Sequence, residues 1–190
     1  MEGAVRYFRE YAGLLERIVV TDSEGKEIGL DEAAAGAIGL FGESTAAGGK
    51  LMFIGNGGSA SIASHFGMDY WHAGGLRSMA FNDAAQLTCM SNDYGYEQVF
   101  SKPIETFAEH GDVLVAISSS GSSPNILRGV EAARGKGCAV VTLSGFKPGN
   151  PLRAMGDINF YVPAESFGFV ELWHSAILHA LLDLSTAGGH

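Results

Sequence analysis

Cysteine is scarce. The 190 residues carry only Cys89 and Cys138, too few for a disulfide framework, so a reducing, cytoplasmic setting is the expectation. Cations are outnumbered as well, with 12 Lys and Arg against 21 Asp and Glu and a formal net charge of −9. A general nucleic-acid-binding face needs clustered Lys and Arg, so nucleic acid is not an expected partner. No apolar run approaches the roughly 20 residues that span a bilayer. The opening MEGAVRYFREY places charges where a signal peptide would carry its apolar region, and no membrane partner is expected. Internal repeats and low-complexity linkers are missing too. At 46% apolar residues the composition excludes a disordered chain. Glycine is what abounds: 27 residues, about twice the usual share of roughly 7%, gathered mainly in turns.

The length suits a single domain, 1–190, with ample material for a core. Residues 1–50 read as a helical pair. In 5–19, Val5, Phe8, Tyr11, Leu14, Leu15 and Ile18 recur at three- and four-residue spacing, the stripe of an amphipathic helix. Asp31 is placed to cap an Ala-rich second helix running to residue 47, and 21–29 between them is polar and turn-like. From residue 51 to 184 the pattern changes. Five short apolar runs, at 51–54, 78–81, 113–117, 139–143 and 158–162, are each followed by a Gly, Ser, Asn or Asp turn, and most then by a helical stretch. Continuous rather than alternating apolar strands imply burial on both faces. The expectation is a three-layer α/β sandwich with a five-stranded, mostly parallel sheet and right-handed crossovers.

In such a sheet ligands sit beyond the carboxyl ends of the strands. The first predicted strand exits into Gly55-Asn56-Gly57-Gly58-Ser59, ahead of a helix over 60–70. Glycine lets backbone approach a ligand closely, and the following helix start offers free N–H groups to an anion. The third exits into Ser118-Ser119-Ser120-Gly121-Ser122-Ser123-Pro124-Asn125. This run has no lysine, so it is not a nucleotide P-loop, and its spacing is not G-x-G-x-x-G. Hydroxyls and amides without a cation suit a phosphate monoester on a sugar. Gly/Ser clusters also occur as plain turns, but two of them after two strands of one sheet favour a shared anion site.

Titratable groups gather on two helices. His65 and Asp69, at i and i+4, share one face about 6 Å apart along the axis. Glu171, His174 and His179 lie on a helix over 169–184, and a His/Asp pair facing a Glu/His pair is a reasonable zinc set. By spacing alone Glu171 and His174 form the easier pair, because Glu171 and His179 stand about 12 Å apart on a straight helix. His72, His110 and His190 have no comparable context.

The glycine turn, the helix carrying His65, the run Ser91-Asn92-Asp93-Tyr94-Gly95-Tyr96 with Val99-Phe100-Ser101, and the serine run together resemble the sugar isomerase (SIS) domain. More narrowly they resemble the phosphoheptose isomerases, over essentially the whole chain to residue 184. The resemblance implies conversion of sedoheptulose 7-phosphate to D-glycero-D-manno-heptose 7-phosphate through an enediolate. It implies substrate contacts from Asn56, Gly57, Gly58, Ser59, Asp69, Asn92, Asp93 and Glu171, with Ser118, Ser119, Ser120 and Ser123 on the phosphate. It further implies one zinc ion per subunit on His65, Asp69, Glu171 and His179, no organic cofactor, and a homotetramer; His174 is left a supporting or structural role. Asp69 or Glu171 would be the base and His179 the acid. Asp69 stands where the family has Glu, Glu171 where it has Gln, and Gly168 where it has Asp. Two other readings remain open at this point: an isomerase of another phosphorylated ketose, and a non-catalytic SIS module that binds a sugar phosphate or a replication initiator.

Overall fold

The computed structural model describes residues 3–186. Helix α1 (Gly3–Ala12) is shorter than the apolar stripe over 5–19 predicts. Gly13 follows it, and after a 3₁₀ turn at Leu15–Arg17 the chain extends into strand β1 (Val19–Asp22), paired antiparallel with β2 (Glu27–Ile28). Valines 19 and 20 favour a pleated strand over a helix end. Asp22 Oδ1 accepts the N–H groups of Glu24 and Lys26 at 2.9 and 3.0 Å, and Gly25 takes a φ of +79°, closing the hairpin. The segment before residue 51 is therefore two helices with a hairpin between them. Helix α2 (Leu30–Ala46) is capped by Gly29 with no side-chain bond; Asp31 sits inside the first turn, where its charge favours the positive end of the helix dipole.

Strands β3 (Leu51–Gly55), β4 (Ser78–Ala80), β5 (Val113–Ser118), β6 (Ala139–Gly145) and β7 (Ile158–Val162) fall on the five apolar runs. Among the described residues the sheet nevertheless has seven strands rather than five, in the order β2-β1-β7-β6-β5-β3-β4, because β1 joins the outer edge of β7 in antiparallel register, Val19 opposite Tyr161. The pairs from β7 to β4 are all parallel. Alternate residues feed two cores, as the pleat requires. Leu51, Phe53, Val113, Val115, Ile117, Val141 and Leu143 face one layer, which contains α2, α3 (Gly58–His72) and α7 (Phe167–Thr186). Met52, Ile54, Leu114, Ala116 and Val140 face the other, which contains α4 (Ala84–Tyr94), α5 (Ser101–Phe107) and α6 (Pro124–Gly135).

Two packing details fix α7, which carries Glu171 and His179. On its outer side α1 docks through aromatic pairs, Tyr7 on Phe169 and Tyr11 on Trp173 with centroids 4.6 and 4.9 Å apart, and the Trp173 indole donates to the Tyr11 carbonyl at 2.9 Å. On its inner side Tyr70 of α3 donates to the Leu178 carbonyl at 3.0 Å. The path of the chain places the crevice. From β3 it steps outward to β4, then returns to the other side of β3 and proceeds β5, β6, β7. The reversal lies between β3 and β5, and at such a switch point the two following loops part and open a cleft.

Candidate active site

The glycine loop after β3 and the serine loop after β5 flank that switch point. Gly57 adopts a φ of +56° and ψ of −120° as the residue before α3, a conformation closed to most side chains. In the serine loop Gly121, at φ +61°, donates its N–H to the Ser118 carbonyl and hydroxyl at 3.1 and 3.2 Å. Asn150 lies directly beneath Gly121, where its amide donates to Ser144 Oγ and to the carbonyls of Gly145 and Lys147, so a Cβ at Gly121 would collide with it. Ser123 precedes α6, with Pro124 as the first helical residue.

Between the two loops lies a small cavity of about 80 Å³ lined by Asn56, Ser59, Ser118, Ser119, Ser120, Ser123, Phe167 and Glu171. Ser59, Ser118 and Ser119 are buried, and among the described residues the Ser119 hydroxyl has no partner. An unpaired buried hydroxyl in a polar hollow is a group waiting for a ligand atom. Helices α3 and α6 both begin at the cavity, so their free N–H groups and dipoles favour an anion there. No lysine or arginine lines it. The acidic group is Glu171, whose carboxylate rests on the Cα of Gly58; a side chain at 58 would occupy the same space.

His65 and Asp69 on α3 meet His179 of α7. One ligand atom from each lies within 4.8 Å of the others, and His65 Nε2 stands 3.3 Å from Asp69 Oδ2. The two imidazole rings are 5.3 Å apart, and the Phe66 ring supports His179 at 4.7 Å. His65 and His179 are exposed and Asp69 half-buried, so the group opens to solvent on one side. Two imidazoles and a carboxylate are the donor set of a three-ligand zinc site with an open position, and their proximity fits that ion. Glu171 is not in this group: two turns earlier on α7, it faces the serine cavity instead.

Asn92 and Asp93 fall on helix α4 rather than on a loop, exposed and bonded to each other at 2.8 Å, and they do not line the serine cavity. His174 is fully buried, with Nε2 donating to the Ser144 carbonyl at 3.1 Å and Nδ1 without a partner among the described residues; burial lowers its pKa to about 4, against a smaller upward pull from that hydrogen bond. Arg77 lies near the opposite ends of the strands and donates to the Gly48 carbonyl. Gly168 leaves room that the Tyr7 hydroxyl of α1 fills: a Cβ there would come within 2.9 Å of it. Sequence reasoning assigned no role to Asn125, Asn150 or Phe167. The single available signal was the position of Asn125 behind Pro124 at a helix start, because the other two are recruited by tertiary contacts.

The SIS domain family matches residues 6–145. The phosphoheptose isomerase of Yersinia pestis (strain Pestoides F) is 40% identical over 153 residues, 76% of this chain and 78% of that protein. Among solved structures, the phosphoheptose isomerase of Neisseria gonorrhoeae superposes with a TM-score of 0.85 at 31% identity, covering 98% of each chain. That of Francisella tularensis gives 0.82 at 29% identity, over 95% of this chain and 94% of its own.

Proposed function

The chain belongs to the SIS domain family, among its phosphoheptose isomerases, and from that premise we propose that it interconverts sedoheptulose 7-phosphate and D-glycero-D-manno-heptose 7-phosphate. It is a sugar phosphate isomerase, and its substrate is a phosphorylated sugar. The observation that carries the finer reading is the disposition of two sites along one helix. Ser59 at the start of α3 lines the anion cavity, and His65 and Asp69 follow six and ten residues later, about 9 and 15 Å along the axis. A seven-carbon chain with its terminal phosphate spans on the order of 10 Å when extended. Phosphate in the serine cavity therefore sets the far end of the sugar beside His65, Asp69 and His179.

In the ketose-to-aldose direction a base removes a proton from C1, the electron pair forms the C1–C2 double bond and the charge passes to the C2 oxygen; the C1 hydroxyl proton then moves to that oxygen, and a proton returns to C2 as the C1 carbonyl forms. Asp69, beside His179, is the base in this reading, and His179 returns the proton; such paired transfer is worth about 10²–10⁴ in rate. Glu171, at the phosphate end, accepts hydrogen bonds from sugar hydroxyls. His65, Asp69 and His179 would hold a zinc ion, whose chemistry when bound is to polarise the carbonyl oxygen. The serine hydroxyls and the starts of α3 and α6 bind the phosphate dianion and exclude water from it. We further assign a homotetramer, on the exposed apolar side chains Val5 and Phe8 of α1 and Leu172 and Leu184 of α7, and a cytoplasmic location, on free Cys89 and Cys138. Among the described residues no helix is long and apolar enough to cross a membrane.

The test is incubation with sedoheptulose 7-phosphate and identification of the product by NMR, for the wild type and Asp69→Ala. Heptose 7-phosphate from the wild type and none from a folded Asp69→Ala protein is the expected result. Turnover retained in Asp69→Ala moves the base to Glu171, and a wild type that converts a different ketose phosphate overturns the substrate.

A further inference from the structure

Asn56 and Asn125 face each other across the mouth of the switch-point cleft. Asn56 Nδ2 donates to Asn125 Oδ1 at 2.9 Å, and Asn125 Nδ2 donates back to Asn56 Oδ1 at 2.8 Å. The orientation of both amides is determined by a third group: the Ile126 N–H donates to Asn125 Oδ1 at 3.1 Å, which an amide nitrogen there could not accept. Tyr96, from the 3₁₀ turn after α4, adds its hydroxyl to Asn56 Oδ1 at 3.1 Å. The ring of two bonds joins residues 69 apart in sequence, and Asn125 is only 2% exposed.

We infer that this amide pair is a clasp that sets the spacing of the glycine and serine loops, so that Asn125 and Tyr96 are positioning residues for phosphate binding. Asn56 belongs with them. Its carbonyl oxygen takes two hydrogen bonds and its amide gives one of its two N–H groups within the protein, which holds the side chain in place and leaves one N–H free at the cavity wall. Ser59 and Ser118–Ser123 lie on opposite sides of an 80 Å³ cavity, and a hydroxyl cradle without a cation depends on several short bonds formed together. Such bonds weaken steeply with distance and angle, so loops free to separate lose the cradle without unfolding the domain. Nothing in the sheet pairing supplies this restraint, because the β3–β5 ladder ends at Gly55 opposite Ile117.

This inference rests on the phosphate reading of the serine cavity, and the experiment separates the two. Asn125→Ala and Tyr96→Phe are compared with wild type for kcat and KM on sedoheptulose 7-phosphate, and for the rise in Tm produced by inorganic phosphate, which needs no turnover. Asn125→Ala is expected to raise KM about tenfold, with kcat within about threefold, and to lose the phosphate-induced rise in Tm. Tyr96→Phe, which gives up one exposed hydroxyl and keeps the amide ring, is expected to raise KM about two- to threefold, and it carries the test if Asn125→Ala does not fold. Asn125→Asp supplies a rescue: a carboxylic acid closes the same two-bond ring and a carboxylate does not, so its KM relative to wild type at the same pH is expected to shrink as the pH is lowered. A lower Tm with wild-type KM and wild-type phosphate response would make the pair merely structural and overturn the clasp. A wild type that itself shows no phosphate response overturns the cavity assignment, and the clasp with it.

Discussion

Gly58→Ala separates folding from chemistry at one atom. A Cβ at residue 58 would lie closer than 3.0 Å to the Glu171 carboxyl carbon and both its oxygens, whereas ordinary contact begins at 3.4 Å. The carboxylate must therefore withdraw by about 1 Å. It can do so, because it is the free end of a flexible, half-buried side chain, and Gly58 itself has no positive φ to strain an alanine. Alanine also lifts helix stability by up to about 0.5–1 kcal/mol over glycine, about 1–4 °C in Tm for a chain of this size. Active-site groups need placement to about 0.5 Å, and a displacement near 1 Å can cost about 10²-fold. The expected result is a Tm equal to or slightly above wild type with kcat/KM lower by about 10- to 100-fold. Thermal unfolding and product formation from sedoheptulose 7-phosphate measure the two sides. A variant with unchanged Tm and wild-type kcat/KM would show that the Glu171 carboxylate does nothing from its seat on Gly58.

His174 makes stability depend on pH. Its pKa of about 4 when folded lies below the ordinary 6.5, so between these values the unfolded chain holds a proton that the folded chain does not. Stability is full above about pH 6.5 and falls by about 3 kcal/mol as the pH drops to 4; urea unfolding should show this slope, and His174→Leu should flatten it. A slope unchanged in His174→Leu would remove His174 as its source. Gly121→Ala should lower stability by about 2–4 kcal/mol, since it strains a left-handed backbone and drives a Cβ into buried Asn150; a wild-type urea midpoint would refute this. Zinc binding, measured by metal analysis after dialysis, should be lost in His179→Ala and kept in Glu171→Ala, and loss in Glu171→Ala would make Glu171 a ligand.

Four of the five parallel strands, β3, β5, β6 and β7, were legible because they are buried on both faces, which writes an unbroken apolar run into the chain; Leu51, Met52, Phe53 and Ile54 are all at 0% exposure, whereas the edge strand β4 is only half-buried. The hairpin of β1 and β2 was not, because an edge pair with polar Thr21, Asp22 and Glu27 has the composition of a turn. The apolar stripe through Leu14 and Ile18 continued past the end of α1, since periodicity does not register that Gly13 breaks the helix. At the site, spacing alone paired His65 with Asp69, because one helix turn relates them. What spacing could not say was which end of α7 faces which neighbour. A straight helix carries Glu171 to the serine cavity and His179 to the imidazole group, so the four expected ligands divide three to one. Asn92 and Asp93 look like loop residues, yet Asp83 caps a helix that runs through both.

The pairing of β1 with β7 has a consequence for synthesis. A ribosome makes Val19 long before Tyr161, its neighbour across the ladder. The hairpin must therefore wait, with buried Val20 and Leu14 still uncovered, until residues 158–161 have emerged. A product truncated before residue 158 would keep the serine loop and the start of α3 but lack both the strand that seals this edge and the helix that brings Glu171 and His179. Completion of the sheet and the meeting of His65 and Asp69 with His179 thus both depend on the stretch from residue 158 onward, and a molecule cut before it leaves the edge of β1 open to other chains.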